Sequence, residues 1–330
     1  MDAPPFIISS DAINLIAEIS SLLERYTIAM EGDYGVKLRK VNRIKTIHSS
    51  LAIEGNTLSE DEVADIINGK KIVAPIRQVV EVKNAIKVYD AYRSLNPFSE
   101  KDLLKAHGIM MEALADDAGR YRKGGVGVYG EKGLIHMAPP AKMVPQLIGN
   151  LMEWLNESKD HLLIRSCVFH YEFEFIHPFS DGNGRMGRLW QSLILGRLHP
   201  LFEYLPVENM VFANQENYYN AIYESTKSGQ SGPFIDFMLR EIRNTILKYK
   251  RIEKVPDKVL DKVPNKTQMM IVRLLMESPR MTSTQLAEKI GISSRGVVKA
   301  IQSLKRQGIL ERVGSNKSGM WKVNSDNNHG

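Results

Sequence analysis

Apolar residues recur at helical spacing along nearly the whole chain, and the recurrence fails once, between residues 119 and 140. That pattern makes the chain a helical protein with one small β insert. Residues 11–30 place Ile13, Ile16, Ala17, Ile19, Leu22 and Leu23 at helical spacing, with Asp11 as the expected N-cap. Residues 36–53 do the same with Leu38, Val41, Ile44 and Ile47. This second period stops at Glu54-Gly55-Asn56, where Gly55 or Asn56 can take the left-handed conformation that ends a helix. Further helical periods cover 59–68, 77–94, 99–114, 143–157, 160–175, 186–197, 214–226 and 231–250. In the interruption, six glycines and two prolines surround Val126, Val128, Leu134 and Ile135, the composition of a β-hairpin.

Residues 251–264 hold Lys, Asp, Val and Pro in the near-repeat Asp257-Lys258-Val259 and Asp261-Lys262-Val263, and read as a linker. Beyond it, helical periods at 266–277, 282–290 and 293–307 precede alternating residues near 309–313 and 320–323. This is the pattern of a helix-turn-helix with a β wing. In its last helix Val297, Val298, Ile301 and Leu304 are expected to pack inward, leaving Arg295, Lys299 and Arg306 to face a groove. Such modules dock DNA or protein, and the basic residues leave both open. The expected regions are thus 1–95, a helical region; 96–250, a helical core; 251–264, a linker; and 265–324, the winged helix.

Composition bounds the setting. Of 330 residues, 43% are hydrophobic and 25% charged, which suits a globular chain with a real core. Net charge is +6, mildly basic. The single cysteine, Cys167, excludes a disulfide within the chain and suits a reducing compartment. The start, Met1-Asp2-Ala3-Pro4-Pro5, lacks the features of a secretory signal, and no apolar run is long enough to span a bilayer. The expectation is a cytoplasmic protein with no membrane partner. Cys167 and His170 have a spacing seen at metal sites, but their apolar neighbours favour core packing.

One window carries chemistry: His177-Pro178-Phe179-Ser180-Asp181-Gly182-Asn183-Gly184-Arg185-Met186-Gly187-Arg188. Its glycines let the backbone approach a ligand closely, and their N–H groups precede a helix, whose start attracts anions. Arg185 and Arg188 add guanidinium forks suited to phosphate. Asp181 is a hard oxygen ligand suited to Mg²⁺ shared with phosphates. His177 can take a proton near neutral pH. No Lys-Ser/Thr pair follows the last glycine, so this is not a Walker A loop.

The window resembles, without departure, the Fic signature His-Pro-Phe-x-Asp/Glu-Gly-Asn-Gly-Arg-x-x-Arg, and the resemblance extends from about residue 40 to about residue 245. It implies an all-α core with a β-hairpin flap and transfer of AMP from ATP, with Mg²⁺, to Ser, Thr or Tyr of a protein, the chain itself included. It implies His177 as the base and Asp181 as the Mg²⁺ ligand. The backbone of Gly182–Gly184, with Asn183, would stabilise charge on the α-phosphate, Arg185 would grip the β-phosphate and Arg188 would bind the γ-phosphate. Ser50-Leu51-Ala52-Ile53-Glu54-Gly55-Asn56 resembles the family's inhibitory motif placed before the core, so Glu54 would pair with Arg188 and displace the γ-phosphate. Gly119-Arg120-Tyr121-Arg122 and Val126-Gly127-Val128-Tyr129 resemble the flap, with Val126 to Tyr129 lining the nucleotide. Tyr219 and Thr226 are implied on the adenosine side, with Tyr219 preferred over Tyr218. The resemblance leaves room for a homodimer, for an enzyme that removes AMP, and for a DNA-binding regulator whose core senses nucleotide.

Overall fold

The structure, a computed structural model, describes residues 3–27, 33–130, 133–203, 205, 207–253, 266–314 and 319–324. The chain divides into two compact units, Met1–Thr245 and Ile246–Gly330. The expected region 1–95 therefore folds with residues 96–245 of the expected core 96–250 in one unit. Its elements are α1 (Ser10–Thr27), α2 (Asp33–Ile53), α3 (Glu60–Ile67), α4 (Ile76–Ala91) and α5 (Glu100–Met110). The hairpin β1 (Gly127–Gly130) and β2 (Gly133–Met137) follows, then α6 (Val144–Glu157), α7 (Leu162–Ile176) and α8 (Asn183–Leu198). Then come α9 (Val207–Ala213), α10 (Gln215–Ser228) and α11 (Gly232–Glu253), of which the residues from Ile246 fall in the second unit.

At its centre α7 packs against α8, and both are almost wholly buried. Phe169, Phe173, Leu189 and Trp190 are fully enclosed, as expected of helices that are apolar on most faces. Cys167 and His170 belong to this core. The His170 Nδ1–H donates to Gln191 Oε1 at 2.6 Å, and its Nε2 accepts from the Tyr218 hydroxyl at 3.1 Å. Burial pushes the Cys167 thiol up to about 12.

Two expectations about α1 need correction. The cap of α1 is Ser9, whose hydroxyl accepts from the Ala12 N–H at 3.0 Å. The helix already begins at Ser10, so Asp11 sits inside its first turn and pairs at 3.5 Å with Arg240 instead. The buried stripe of α1 is Ala12, Leu15, Ile19, Leu22 and Leu23, which leaves Ile13 and Ala17 exposed. In α2, Ile47 is buried as expected; the side chains of Leu38 and Val41 lie outside the described residues. The short helix α9 was not expected, because Pro200 and Pro206 break the periodicity around it. It packs on α2, where the Ser49 hydroxyl meets Asn209.

The β insert is narrower than its composition. Its strands pair antiparallel, Val128 with His136 and Gly127 with Met137, with an irregularity between Val128 and Tyr129. Residues 119–126 form turns and loop before the first strand.

The second unit comprises α12 (Lys266–Glu277), α13 (Ser283–Ile290), α14 (Ser294–Arg306), β3 (Leu310–Val313) and β4 (Met320–Val323). Ile271, Leu275, Leu286, Val297, Ile301, Leu304 and Leu310 form its core. A capping box of Thr282 and Gln285 starts α13, Gly291 ends it, and Ser293 caps α14. Val298 is 42% exposed, not inward, because Val297, Ile301 and Leu304 complete one stripe and the next residue falls off it. The antiparallel wing is fastened by the Trp321 N–H donating to the Pro279 carbonyl at 2.7 Å. The linker near-repeat at 257–263 lies outside the described residues. Among the described residues no helix is long and apolar enough to cross a membrane.

Trp190 ties α8 to the segment before α5 by donating from its indole to the Pro97 carbonyl at 2.9 Å. Trp190→Phe removes volume and leaves a buried carbonyl unpaired, so stability should fall by about 2 kcal/mol, read by urea unfolding followed by circular dichroism.

Candidate active site

The chemical window spans the loop between α7 and α8 and the first turns of α8. It begins at His177, which ends α7 in the left-handed conformation (φ 49°, ψ 63°). Among the described residues only Ala113 shares a positive φ without being glycine. Such a conformation persists where surrounding bonds enforce it. The enforcing side chain here is Arg122, 3% exposed, whose guanidinium donates to the carbonyls of His177 (2.7 Å), Gly124 (2.8 Å), Pro139 (2.6 Å) and Ile176 (3.2 Å). One arginine thus binds the loop, the turn before the hairpin and the hairpin's exit.

The turn is closed from inside by Asn183. Its side-chain oxygen accepts from the Phe179 N–H at 2.9 Å and its amide donates to the Phe179 carbonyl at 2.8 Å. The side chain expected beside the α-phosphate is therefore occupied as a brace for the loop. Gly182 caps α8 in the left-handed region (φ 86°), and a β-carbon there would lie 2.8 Å from Met111 Sδ. His107 braces the same turn. Its Nδ1 accepts from the Gly119 N–H, so its Nε2–H donates to the Asp181 carbonyl at 3.0 Å, while the ring stacks on Phe179 at 3.6 Å.

The His177 Nδ1 faces the Glu174 carbonyl at 3.3 Å. A carbonyl only accepts, so Nδ1 carries the hydrogen and Nε2 keeps its lone pair. Burial, together with the nearby His136 and Arg122, lowers the His177 pKa to about 4, against the raising influence of the Glu174 carbonyl and of Glu54. The ring is thus neutral at physiological pH. Glu174, 5% exposed, moves the other way: burial pushes its carboxyl up to about 8, and Oε1 has no hydrogen-bond partner.

Asp181 is half exposed. Its Oδ1 meets Arg185 at 2.8 Å and its Oδ2 meets Arg77 at 3.3 Å. Arg188 is buried (1% exposed) and donates to the Ser50 carbonyl at 2.9 Å and to Glu54 Oε1 at 2.8 Å. Burial alone would lower its pKa, but the Glu54 carboxylate, with Tyr218 and Glu174, more than offsets this and holds it above the ordinary value. Glu54 follows the last turn of α2, where Gly55 takes the left-handed conformation (φ 86°) expected of Gly55 or Asn56. The carboxylate lies across the first turn of α8, and a β-carbon on Gly184 would stand 2.6 Å from its Oε1. The glycine is what allows the glutamate in.

Around this centre, Val128 is buried and Val126 and Gly127 are half-buried, while the side chain of Tyr129 lies outside the described residues. His136 fixes the hairpin by donating from Nε2 to the Phe175 carbonyl at 2.9 Å and stacking on that ring. Tyr218 points into the core at His170; Tyr219 is half-buried, and Tyr171 donates to the Thr226 hydroxyl at 3.3 Å. Arg77, His107 and the bracing role of Arg122 had no signal in sequence spacing, because each acts through a fold contact far along the chain. In the second unit Arg295, Lys299 and Arg306 are exposed together on α14.

Residues 97–195 match the Fic/DOC family, and residues 264–311 match the winged helix-turn-helix DNA-binding family. A probable protein adenylyltransferase of Aquifex aeolicus is 29% identical over 213 residues, covering 62% of this chain and 60% of its own. The protein adenylyltransferase Fic of Nematostella vectensis is 29% identical over 216 residues, covering 62% and 48%. The chain thus spans about half the length of the curated relatives it matches. Fic-1 of Caenorhabditis elegans (residues 134–508) shares the fold, with a TM-score of 0.61 at 21% identity over 74% of this chain and 73% of that one. A crystal structure of a Fic family protein from Desulfovibrio desulfuricans G20 superposes with a TM-score of 0.74 at 37% identity, over 98% of this chain and 99% of that one. With the signature loop formed and an identity of that level end to end, the chain belongs to the Fic family.

Proposed function

We propose that the chain is a protein adenylyltransferase that moves AMP from ATP to a Ser, Thr or Tyr hydroxyl of a protein, restrained by Glu54. The observation that carries this reading is the loop itself. A neutral imidazole, a run of backbone N–H groups at the start of α8 and two arginines from its first two turns gather at the junction of α7 and α8, with Glu54 2.8 Å from the innermost arginine. His177 Nε2 takes the proton of the target hydroxyl, whose oxygen bonds to the α-phosphorus. The bond from that phosphorus to the bridging oxygen breaks and pyrophosphate leaves. The backbone N–H groups of Asn183 and Gly184 stabilise charge on the α-phosphate, and Arg185 and Arg188 hold the departing phosphates.

The residues present fit Mg²⁺. Among the described residues no group of three or more acidic, histidine or cysteine side chains gathers into a cage. Mg²⁺ usually needs no such cage, binding through one or two carboxylates plus phosphates, and Asp181 offers the exposed carboxylate. When bound, the ion would neutralise phosphate charge. The exposed Leu134 and Met137 on the hairpin suit a target segment that adds as a strand.

Glu54 occupies the place a γ-phosphate would need beside Arg188. Two unit charges 4 Å apart interact by about 1 kcal/mol in water and about 4 kcal/mol at an effective dielectric of 20. With Glu54 30% exposed, a value between these limits gives suppression of about tenfold or more that remains reversible. Removal of AMP by the same glutamate is an alternative to transfer, and it predicts modified protein as the preferred substrate.

A second reading rests on the C-terminal unit. Its match to DNA-binding winged helices and the exposed basic face of α14 support a duplex partner. Replacing Arg295, Lys299 and Arg306 by alanine should weaken binding to a labelled duplex. Each lost phosphate contact should flatten the slope of log K against log salt by about one. Unchanged binding would favour a protein partner.

Incubated with α-labelled ATP and Mg²⁺, Glu54→Gly should label itself at least about tenfold more than the native chain. Glu54→Gly with His177→Ala should not label at all. If no variant labels, transfer is the wrong activity. Because His177 titrates near pH 4, the rate of Glu54→Gly at pH 6 should stay within about twofold of that at pH 7.5. An ordinary imidazole would lose roughly three quarters of its basic form at pH 6, and a fall of that size would contradict the buried neutral base.

A further inference from the structure

We propose that Arg77 sets the divalent-cation requirement of the site, by competing with the cation for the Asp181 carboxylate. The inference rests on Asp181 as the metal ligand of the proposed reaction. In the structure both oxygens of that carboxylate already face guanidinium groups, Arg185 on Oδ1 at 2.8 Å and Arg77 on Oδ2 at 3.3 Å. A cation and a guanidinium compete for the same carboxylate, and like charges brought to one carboxylate repel, so a bound cation favours release of one arginine.

The two arginines differ in their freedom to leave. Arg185 is 3% exposed and lies one helical turn from Asp181 on the same segment, where it cannot leave without stranding a buried charge. Arg77 projects from the first turn of α4, is 60% exposed, and holds Asp181 by a single long contact. It is the partner that moves. Its stem stays in place because its Nε also faces Glu81 Oε1 at 3.5 Å. The other oxygen of Glu81 accepts from the Asn56 side chain at 2.8 Å, and Asn56 donates to the Gln78 carbonyl as well. Arg77 is therefore presented to Asp181 by a carboxylate fixed from its far side, a directed contact and not a chance surface pair.

The test is Mn²⁺ binding, read by electron paramagnetic resonance in the presence of α,β-methylene ATP, a non-transferable analogue. The full chain with Glu54→Gly serves as parent, and Arg77→Gln and Asp181→Asn are each added to it. Removing an exposed competitor should tighten Mn²⁺ about two- to fivefold, the scale of one surface ion pair, and the gain should shrink as salt rises. Asp181→Asn should lose the site. Arg77→Gln with Mn²⁺ affinity equal to or weaker than the parent's overturns the proposal, as does an Asp181→Asn chain that still binds Mn²⁺ normally. No turnover is needed, so a parent that binds Mn²⁺ and analogue but never labels itself counts against AMP transfer and leaves the role of Arg77 standing.

Discussion

A guanidinium that is 1% exposed needs an anion beside it, because a buried charge without a partner is among the costliest things a fold can contain. Arg188 is such a group, and α8 brings it into the middle of the first unit. Among the described residues its Nε has no hydrogen-bond partner, the Ser50 carbonyl supplies only a dipole, and the one carboxylate in hydrogen-bond contact is Glu54. The centre of this protein therefore has a standing demand for negative charge. A glutamate from α2 meets it in this structure, and a phosphate would meet it in the proposed reaction. Under the proposed function, inhibition and substrate binding would be two answers to one electrostatic requirement, and an inhibitory residue would then belong in this cleft and not at a remote surface.

The loop that shares the cleft is held almost entirely by hydrogen bonds to backbone carbonyls and N–H groups. Arg122 gathers four carbonyls, Asn183 closes the Phe179 peptide from both sides, and His107 links the Asp181 carbonyl to the Gly119 N–H. Side chains that hold the main chain leave its remaining N–H groups fixed in direction before any ligand arrives. That is the condition under which backbone dipoles stabilise developing charge without reorganising. The left-handed His177 is part of the same scheme, since it turns the chain sharply out of α7 while its imidazole stays 21% exposed at the surface of the cleft.

What could be read from sequence follows from how local each feature is. The helices with strong apolar periods appear near their expected bounds, and the signature from His177 to Arg188 is contiguous, so both were legible. The approach of Glu54 to Arg188, 134 positions apart, became legible only through a family motif. Finer choices failed where neighbours compete. Asp11 and Ser9 are both good caps, and the hydrogen bond to Ala12 N–H decides for Ser9. Ile13 and Val298 are apolar but fall beside a stripe already complete without them. Asn183 carries chemistry in the resemblance, yet its side-chain amide is occupied by Phe179, a fact that depends on the turn being closed. Arg77 meets Asp181 across 104 positions, and nothing in either local segment announces the other.

The unequal burial of the ion pair also makes Glu54 the half with more freedom to move. Arg188 is enclosed on all sides, whereas the Glu54 side chain is 30% exposed and stands at the end of a helix, one residue before a left-handed glycine. Releasing the arginine would open the core between α7 and α8; releasing the glutamate asks only for a rotation toward solvent. The turn behind it is fixed, because Asn56 is 7% exposed and bound to Gln78 and Glu81 on α4. The β-carbon that Gly184 lacks is what keeps the path across α8 clear in both directions. A side-chain rotation against a fixed backbone needs little reorganisation, so the barrier to release is set chiefly by the ion pair itself. Anything that supplies Arg188 with a better anion, or draws the Glu54 carboxylate toward a cation outside, then shifts the balance by its difference in affinity for the two arrangements.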